Sequence, residues 1–269
     1  MKKKENILKK NLLLSCLILF YTASTFAQYG IENKTFNIGE RVTYDAYYNW
    51  KFVWVRAGVV EFKVGDRYYM NRHVYDVQAT GSSLKSYDWM FKVRENFRSY
   101  IDIDSFRPLW FQRDTYEGGY KAFEEYFFDH RNKKIISITH NSKRPYKKDQ
   151  LTSGPETWDA LGLVYYTRNL DFSRYKYNEK IPVQTVIDNE VFNLYIRYLG
   201  KEDIITRDKK KYHCYKFSVK MIEGTIFKGG EDLRVWVTDD ANRIPVLVEA
   251  KILIGSVKAV LTGTYGLRH

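Results

Sequence analysis

Cysteine is nearly missing from this chain, which holds only Cys16 and Cys214 in 269 residues. A framework of disulfides is therefore excluded, and stability must come from a packed core. Proline is also scarce, with 5 residues set against 23 tyrosines, 16 phenylalanines and 6 tryptophans. That imbalance favours pleated, half-buried surfaces over helix. Long apolar runs are lacking as well. The run from Leu12 to Tyr21 is about half of the roughly 20 residues needed to span a bilayer, so no transmembrane span is expected in the mature chain. Missing too are a nucleophile-elbow serine, a glycine-rich phosphate loop and the oxygen-ligand spacing of a calcium loop.

What is present begins with an address. A basic segment (Lys2, Lys3, Lys4, Lys9, Lys10) precedes that apolar run, and Thr25-Phe26-Ala27 supplies small residues at the two positions a signal peptidase reads. The expectation is a signal peptide over 1–27, a mature chain from Gln28 and a periplasmic location. Cys16 follows almost no apolar segment, so a lipoprotein is not expected. Removing the leader's five lysines and one glutamate lowers the formal charge from +12 to +8. A basic surface of this kind suits acidic envelope partners or simple solvation. Nucleic acid is not expected, because the basic residues do not concentrate in one arm or helix.

Beyond the leader, period-two alternation recurs. Val42, Tyr44, Ala46 and Tyr48 share one face of a run from Arg41 to Trp50, and Val60, Phe62 and Val64 share one face of Ala57 to Val64. Further runs at 69–79, 92–103, 108–116, 120–128 and 133–139 are separated by turn signals such as Glu117-Gly118-Gly119. They resume at 181–188, 191–199, 203–207, 211–222, 232–238, 246–255 and 257–265. The one interruption is 156–170, where Trp158, Leu161, Val164 or Tyr165, and Arg168 recur at helical intervals behind Pro155. The fold expected is all-β: a long antiparallel meander curled into an open barrel, or two related β-units, with one central helix. Ile101-Asp102-Ile103-Asp104-Ser105-Phe106-Arg107-Pro108 is echoed by Val237-Thr238-Asp239-Asp240-Ala241-Asn242-Arg243-Ile244-Pro245. The echo suggests pseudo-repeat halves of about 40–145 and 180–265, although convergent hairpin chemistry explains it nearly as well.

Several segments resemble the domain-of-unknown-function family DUF3108. They are Val42-Thr43-Tyr44 with Ala57-Gly58; Asp159-Ala160-Leu161 with Tyr165-Tyr166-Thr167-Arg168; Gly200-Lys201-Glu202; Val235 to Asp240 with Ile244-Pro245-Val246; and Gly255 to Ala259. The resemblance runs from about Gly39 to Tyr265. It implies an exported protein of Bacteroidetes or other Gram-negative bacteria with an antiparallel β-architecture, and it brings no catalytic residue. A looser likeness to open-barrel periplasmic carriers of lipoprotein acyl chains is one of fold alone.

Residue chemistry adds no reaction. His73, His130, His140, His213 and His269 are scattered without metal-ligand spacing. Cys214 beside His213 would face the other way on a strand. Asp102 with Asp104, and Asp239 with Asp240, stand beside turns, where aspartate commonly satisfies local backbone. No catalytic residue, metal or cofactor is expected. The candidate ligand-contact or helix-cap residues are Trp158, Asp159, Leu161, Tyr165 and Arg168. Nine residues separate Asp159 from Arg168, too far to pair on one helix, so each is expected to meet an opposite charge on the sheet: Arg56, Arg197, Glu202 or Glu249. The function expected is a non-catalytic periplasmic protein binding a lipid-like or amphiphilic envelope component. The alternative is a structural or adaptor protein engaging an envelope protein, and the third reading is an envelope glycan hydrolase. A concave face filled by its own aromatic side chains would favour the adaptor.

Overall fold

The computed structural model describes residues 31–50, 53–222, 230–252 and 255–269. The expected leader, its cleavage after Ala27 and Cys16 lie outside the described residues. The strands are β1 (Arg41–Trp50), β2 (Val53–Tyr69), β3 (Arg72–Ser83), β4 (Val93–Asp102), β5 (Pro108–Glu117), β6 (Tyr120–Asp129), β7 (Lys134–Asn141), β8 (Arg144–Thr152) and β9 (Thr157–Asp159). They continue as β10 (Lys180–Ile187), β11 (Glu190–Ile205), β12 (Lys211–Met221), β13 (Gly230–Thr238), β14 (Pro245–Lys251) and β15 (Ser256–Tyr265). A short helix α1 (Asp88–Phe91) joins β3 to β4, and α2 (Ala160–Arg168) follows β9.

All strands form one 15-stranded sheet, in the order β8-β7-β6-β5-β4-β3-β2-β1-β15-β14-β13-β12-β11-β10-β9. The first and last hairpins of the meander meet where β1 pairs antiparallel with β15, so the two halves share one continuous sheet. Tight turns make this possible. Met70-Asn71 and Asp188-Asn189 each place two successive residues at positive φ, the backbone that matches the twist of flanking strands in a two-residue hairpin.

Three details differ from the sequence reading. Strands β8 and β9 and the helix α1 were not anticipated. The runs 191–199 and 203–207 are one strand, β11, because Gly200 at φ 88 absorbs a register shift between Tyr198 and Lys201. The central helix is shorter than 156–170: residues 157–159 gain main-chain partners at 184–186 and become β9. Asp159, not Pro155, therefore stands at the helix entry.

The echoed segments adopt one backbone design. Phe106 (φ 48) and Arg243 (φ 49) each lie two residues before a proline. Each hairpin also shifts register at the matching place, Tyr100/Ile101 in β4–β5 and Trp236/Val237 in β13–β14. The long strands β2 and β11 each stand two strands before the first strand of such a unit, β4 and β13.

Inward residues of both halves meet in one core that includes Val64, Val77, Ile101, Phe111, Tyr126 and Ile135 from one side and Ile181, Val186, Ile196, Phe217 and Val237 from the other. Helix α2 lies inside this core. Beneath β1 and β13–β15 a second cluster gathers Val42, Tyr44, Cys214, Trp236, Ile244, Val246 and Leu261. Among the described residues, no helix is long and apolar enough to cross a membrane.

Candidate functional site

The five candidates fall on β9 and α2, and all are buried, each less than 5% exposed: Trp158 4%, Asp159 0%, Leu161 4%, Tyr165 1% and Arg168 4%. Asp159 caps the helix, its Oδ1 accepting the Gly162 N–H at 2.7 Å. Its Oδ2 accepts the Ser99 hydroxyl of β4 at 2.8 Å, which ties the helix entry to the opposite wall. Burial pushes this carboxyl up to about 6, against the opposing pull of those hydrogen bonds. Trp158 packs on Phe106 and Tyr166 at centroid distances of 5.7 and 4.8 Å, and Tyr165 meets Phe36 edge-on at 4.8 Å. The Trp158 Nε1–H is buried and finds no partner among the described residues.

Arg168 closes the helix. Its Nη1 and Nη2 donate to Glu40 Oε1 and Oε2 at 2.6 and 2.8 Å. The same guanidinium donates to the Asn242 carbonyl at 3.0 Å and to the Thr35 carbonyl at 3.3 Å. This corrects the expected partners. Arg56 pairs with Asp45, Arg197 with Glu231, Glu202 with Lys216 and Glu249 with Lys258, and among the described residues Asp159 meets a hydroxyl and a backbone amide but no opposite charge. The helix runs toward the end of the sheet where the chain enters β1 and turns from β13 to β14, and Glu40 is the acid waiting there. The arrangement is a core plug anchored at both ends.

A second feature was missed in the sequence. On the concave face, Glu124 Oε1 accepts from Arg113 Nη1 at 3.0 Å, and its Oε2 accepts from the Tyr126 hydroxyl at 2.5 Å. The β10–β11 turn docks on this group: the Asn189 N–H donates to the Tyr126 oxygen at 3.2 Å, and the Asn189 side-chain amide donates to Asp149 at 2.5 Å. Side chains, not strand pairing, thus tie β10–β11 to β6 and β8. Glu95 and Glu117 complete the cluster, with a single arginine to answer several acids. Desolvation, and then the neighbouring Glu117 carboxylate, push Glu95 up to about 8, while Arg113 pulls the other way. The signal was available in strand parity, since Glu95 shares a face with Phe97 and Ile101, and Glu124 with Ala122 and Tyr126.

On the outer face, a groove of about 500 Å³ runs across β1–β4 and is lined by Thr43, Asp45, Glu61, Ser82, Arg94 and Asn96 among others. Several of its charges are already answered: Asp45 by Arg56 at 2.7 Å, Glu61 by Lys63 at 2.6 Å and Arg94 by Asp88 at 2.6 Å. Such a lining does not suit an acyl chain.

The remaining candidates stay apart. His73 pairs with Asp66, His213 with Asp203, His130 binds the Pro108 carbonyl and His140 stacks on Phe123. Among the described residues, no group of three or more His, Cys, Asp or Glu could hold a metal ion. Asp102 accepts the Ser105 N–H and hydroxyl, and Asp240 accepts the Asn242 and Arg243 N–H groups, so both serve their turns. Cys214 is fully buried whereas the His213 side chain is 74% exposed, so the two face opposite ways.

The family model DUF3108, described as a protein of unknown function, matches residues 43–262. No curated protein matches the chain. Among solved structures, the crystal structure of a beta-barrel-like protein of the domain of unknown function DUF1849 from Brucella abortus is similar, at a TM-score of 0.55 and 10% identity. The match covers 86% of this chain and 98% of that one, and at this identity the likeness is one of fold alone.

Proposed function

The chain belongs to the DUF3108 family of proteins of unknown function, and from that premise we propose a non-catalytic, exported scaffold of the cell envelope that engages its partner through its surface. The observation behind this reading is the filled concave side. Strand β9 and helix α2 press Trp158, Leu161, Tyr165 and Tyr166 into the same cluster as Phe36, Phe106, Phe111, Tyr126 and Phe217. The space where a carrier would keep an acyl chain is occupied by the protein's own rings. Export rests on the leader expected over 1–27; an adaptor role rests on the absence of work left for the buried candidates, each of which is engaged in holding the helix.

A fluorescent fatty-acid probe tests this directly. The scaffold reading expects no saturable binding to the folded chain, and covalent crosslinking in intact cells followed by mass spectrometry should recover a reproducible envelope partner. Saturable binding that is lost when Ala160, partly buried against the core, is replaced by Phe with the fold preserved would overturn it in favour of the amphiphile carrier.

A further inference from the structure

Alternate hairpin turns of a meander lie at the same end of the sheet, and those joining β3 to β4, β5 to β6 and β7 to β8 share one end. The β3–β4 connection carries Trp89, Met90 and Phe91 in succession, exposed by 83%, 53% and 52%. Isolated exposed apolar residues are ordinary, but three consecutive large ones on a projecting turn are not. Lysines flank them, Lys85 on one side and Lys92 on the other, both exposed. The nearby acid is neutralised, because Asp88 is held by Arg94 at 2.6 Å and by the Ser83 hydroxyl at 2.5 Å.

The neighbouring turns extend the basic surface. Lys143, Arg144, Lys147 and Lys148 are exposed around the β7–β8 turn, with Tyr146 exposed among them; of these, Lys147 is paired with Asp149. The three turns are laced into a fixed rim. The Gly118 N–H donates to the Lys92 carbonyl at 2.8 Å, and the Phe91 ring lies so close over Gly118 that a side chain there would strike it. The Ser142 N–H donates to the Lys121 carbonyl at 2.9 Å, and the Lys121 N–H to the Ser142 hydroxyl at 2.8 Å.

We propose that this rim docks the protein on a bilayer rich in anionic phospholipid, with Trp89, Met90 and Phe91 entering the boundary between headgroups and acyl chains and Lys85, Lys92, Lys143, Arg144 and Lys148 meeting the phosphates. Tryptophan and phenylalanine suit that boundary, where a ring finds both apolar and wet surroundings. Lysines satisfy the other half of the requirement: each stem lies along apolar surface while its ammonium reaches outward. Of the acids beside the turn, Asp88 is paired with Arg94 and Glu117, 13% exposed, with Arg113 at 3.8 Å, so the exposed charge around the apolar residues is mainly basic. The proposal goes beyond the scaffold reading and names a surface that reading does not require.

The test uses the chain as recovered from its own cells, with its N-terminus determined, and vesicles of phosphatidylcholine alone or mixed with phosphatidylglycerol at about seven to three. Co-sedimentation is expected with the mixed vesicles and much less with phosphatidylcholine, together with a blue shift in tryptophan emission. Replacing Trp89, Met90 and Phe91 together by Ser should weaken it roughly tenfold or more, with circular dichroism unchanged because all three side chains are exposed. Lys85→Glu with Lys92→Glu and Lys148→Glu should weaken it and remove its salt dependence. Equal binding to both vesicle types, no binding by the wild type, or unchanged binding by either variant would overturn the proposal. So would a triple-Ser variant whose only change is conversion of a dimer to a monomer, since the rim would then be a protein interface.

Discussion

Arg168 and Glu40, 128 residues apart in the chain, form a bidentate ion pair with both side chains sealed from water. The pair joins the end of α2 to the residue just before β1, and the Asn242 carbonyl brings the β13–β14 turn to the same guanidinium. A helix between the two halves of a sheet is thereby fastened where β1 and β15 meet. The Arg168 guanidinium also lies 5.5 and 5.2 Å from the Phe36 and Tyr165 ring centroids, so its flat faces are covered as well as its edge.

Breaking this pair should be costly in one direction only. Glu40→Gln or Arg168→Met leaves one buried charge without its counterpart and is expected to lower stability by about 3 to 5 kcal/mol. The double variant Arg168→Met with Glu40→Leu should lose less than the worse single change, because it leaves no buried charge behind. Urea unfolding of the four proteins measures this. Single variants within about 0.5 kcal/mol of wild type would mean that the pair is not a structural clamp.

The helix entry makes a separate demand. Leu161→Ala should cost about 2 to 5 kcal/mol, since the side chain sits in the shared core. Asp159→Ala should cost at least the 0.5 to 2 kcal/mol of an N-cap, with more from the stranded Ser99 hydroxyl, whereas Asp159→Asn should recover most of the loss. If Asp159→Ala is silent in thermal melts, the cap is not what holds α2 in place.

How much of this was legible in the sequence follows a simple division. Local periodicity placed most strands to within a few residues, because alternation reports which face of a strand is buried and needs no knowledge of its neighbours. The echo of Phe106-Arg107-Pro108 by Arg243-Ile244-Pro245 carried turn geometry as well, since Phe106 and Arg243 take the same left-handed backbone at matching positions. Strand β8 was not legible: its run Arg144 to Thr152 is exposed along most of its length and carries no apolar stripe. Partner identity was beyond reach too. Asp159 and Arg168 were recognised as anchors, but that Arg168 meets Glu40 depends on the route of the helix through the sheet, which pattern does not encode. Glu95, Arg113, Glu117 and Glu124 were written in strand parity but look like ordinary surface charges until the two halves curl together.

Proton binding at Glu95 should appear in the pH dependence of stability. Its folded value is raised to about 8, so between the ordinary carboxyl range near 4.5 and about 8 the folded chain keeps a proton that the unfolded chain has released. Stability is then expected to fall as pH rises through this window and to level off above it. Asp159, raised to about 6, adds to the fall only in the lower part. The difference between wild type and Glu95→Gln between pH 6 and 8 isolates the upper group: the variant should be the more stable at pH 8, and its curve flatter. Parallel curves for the two proteins would show that Glu95 is ionised in the fold at neutral pH.

Cys214 offers the last test, and it separates a buried thiol from a working one. The residue is fully buried among Val42, Tyr44, Trp236, Ile244, Val246 and Leu261. Burial, reinforced by the surrounding carboxylates, pushes the thiol up to about 12. A thiol that stays protonated at neutral pH and cannot be approached is a poor nucleophile. Ellman's reagent should therefore leave the folded protein unmodified over hours and react fully once urea has unfolded it. Cys214→Ala should be folded and lose about 1 kcal/mol or less, whereas Cys214→Ser should lose more, because a hydroxyl is costlier than a thiol to place among those side chains. Vesicle binding by the rim should be unchanged in either variant that folds. Rapid modification of the native protein would put the thiol at an open surface and bring back the nucleophile that its burial argues against.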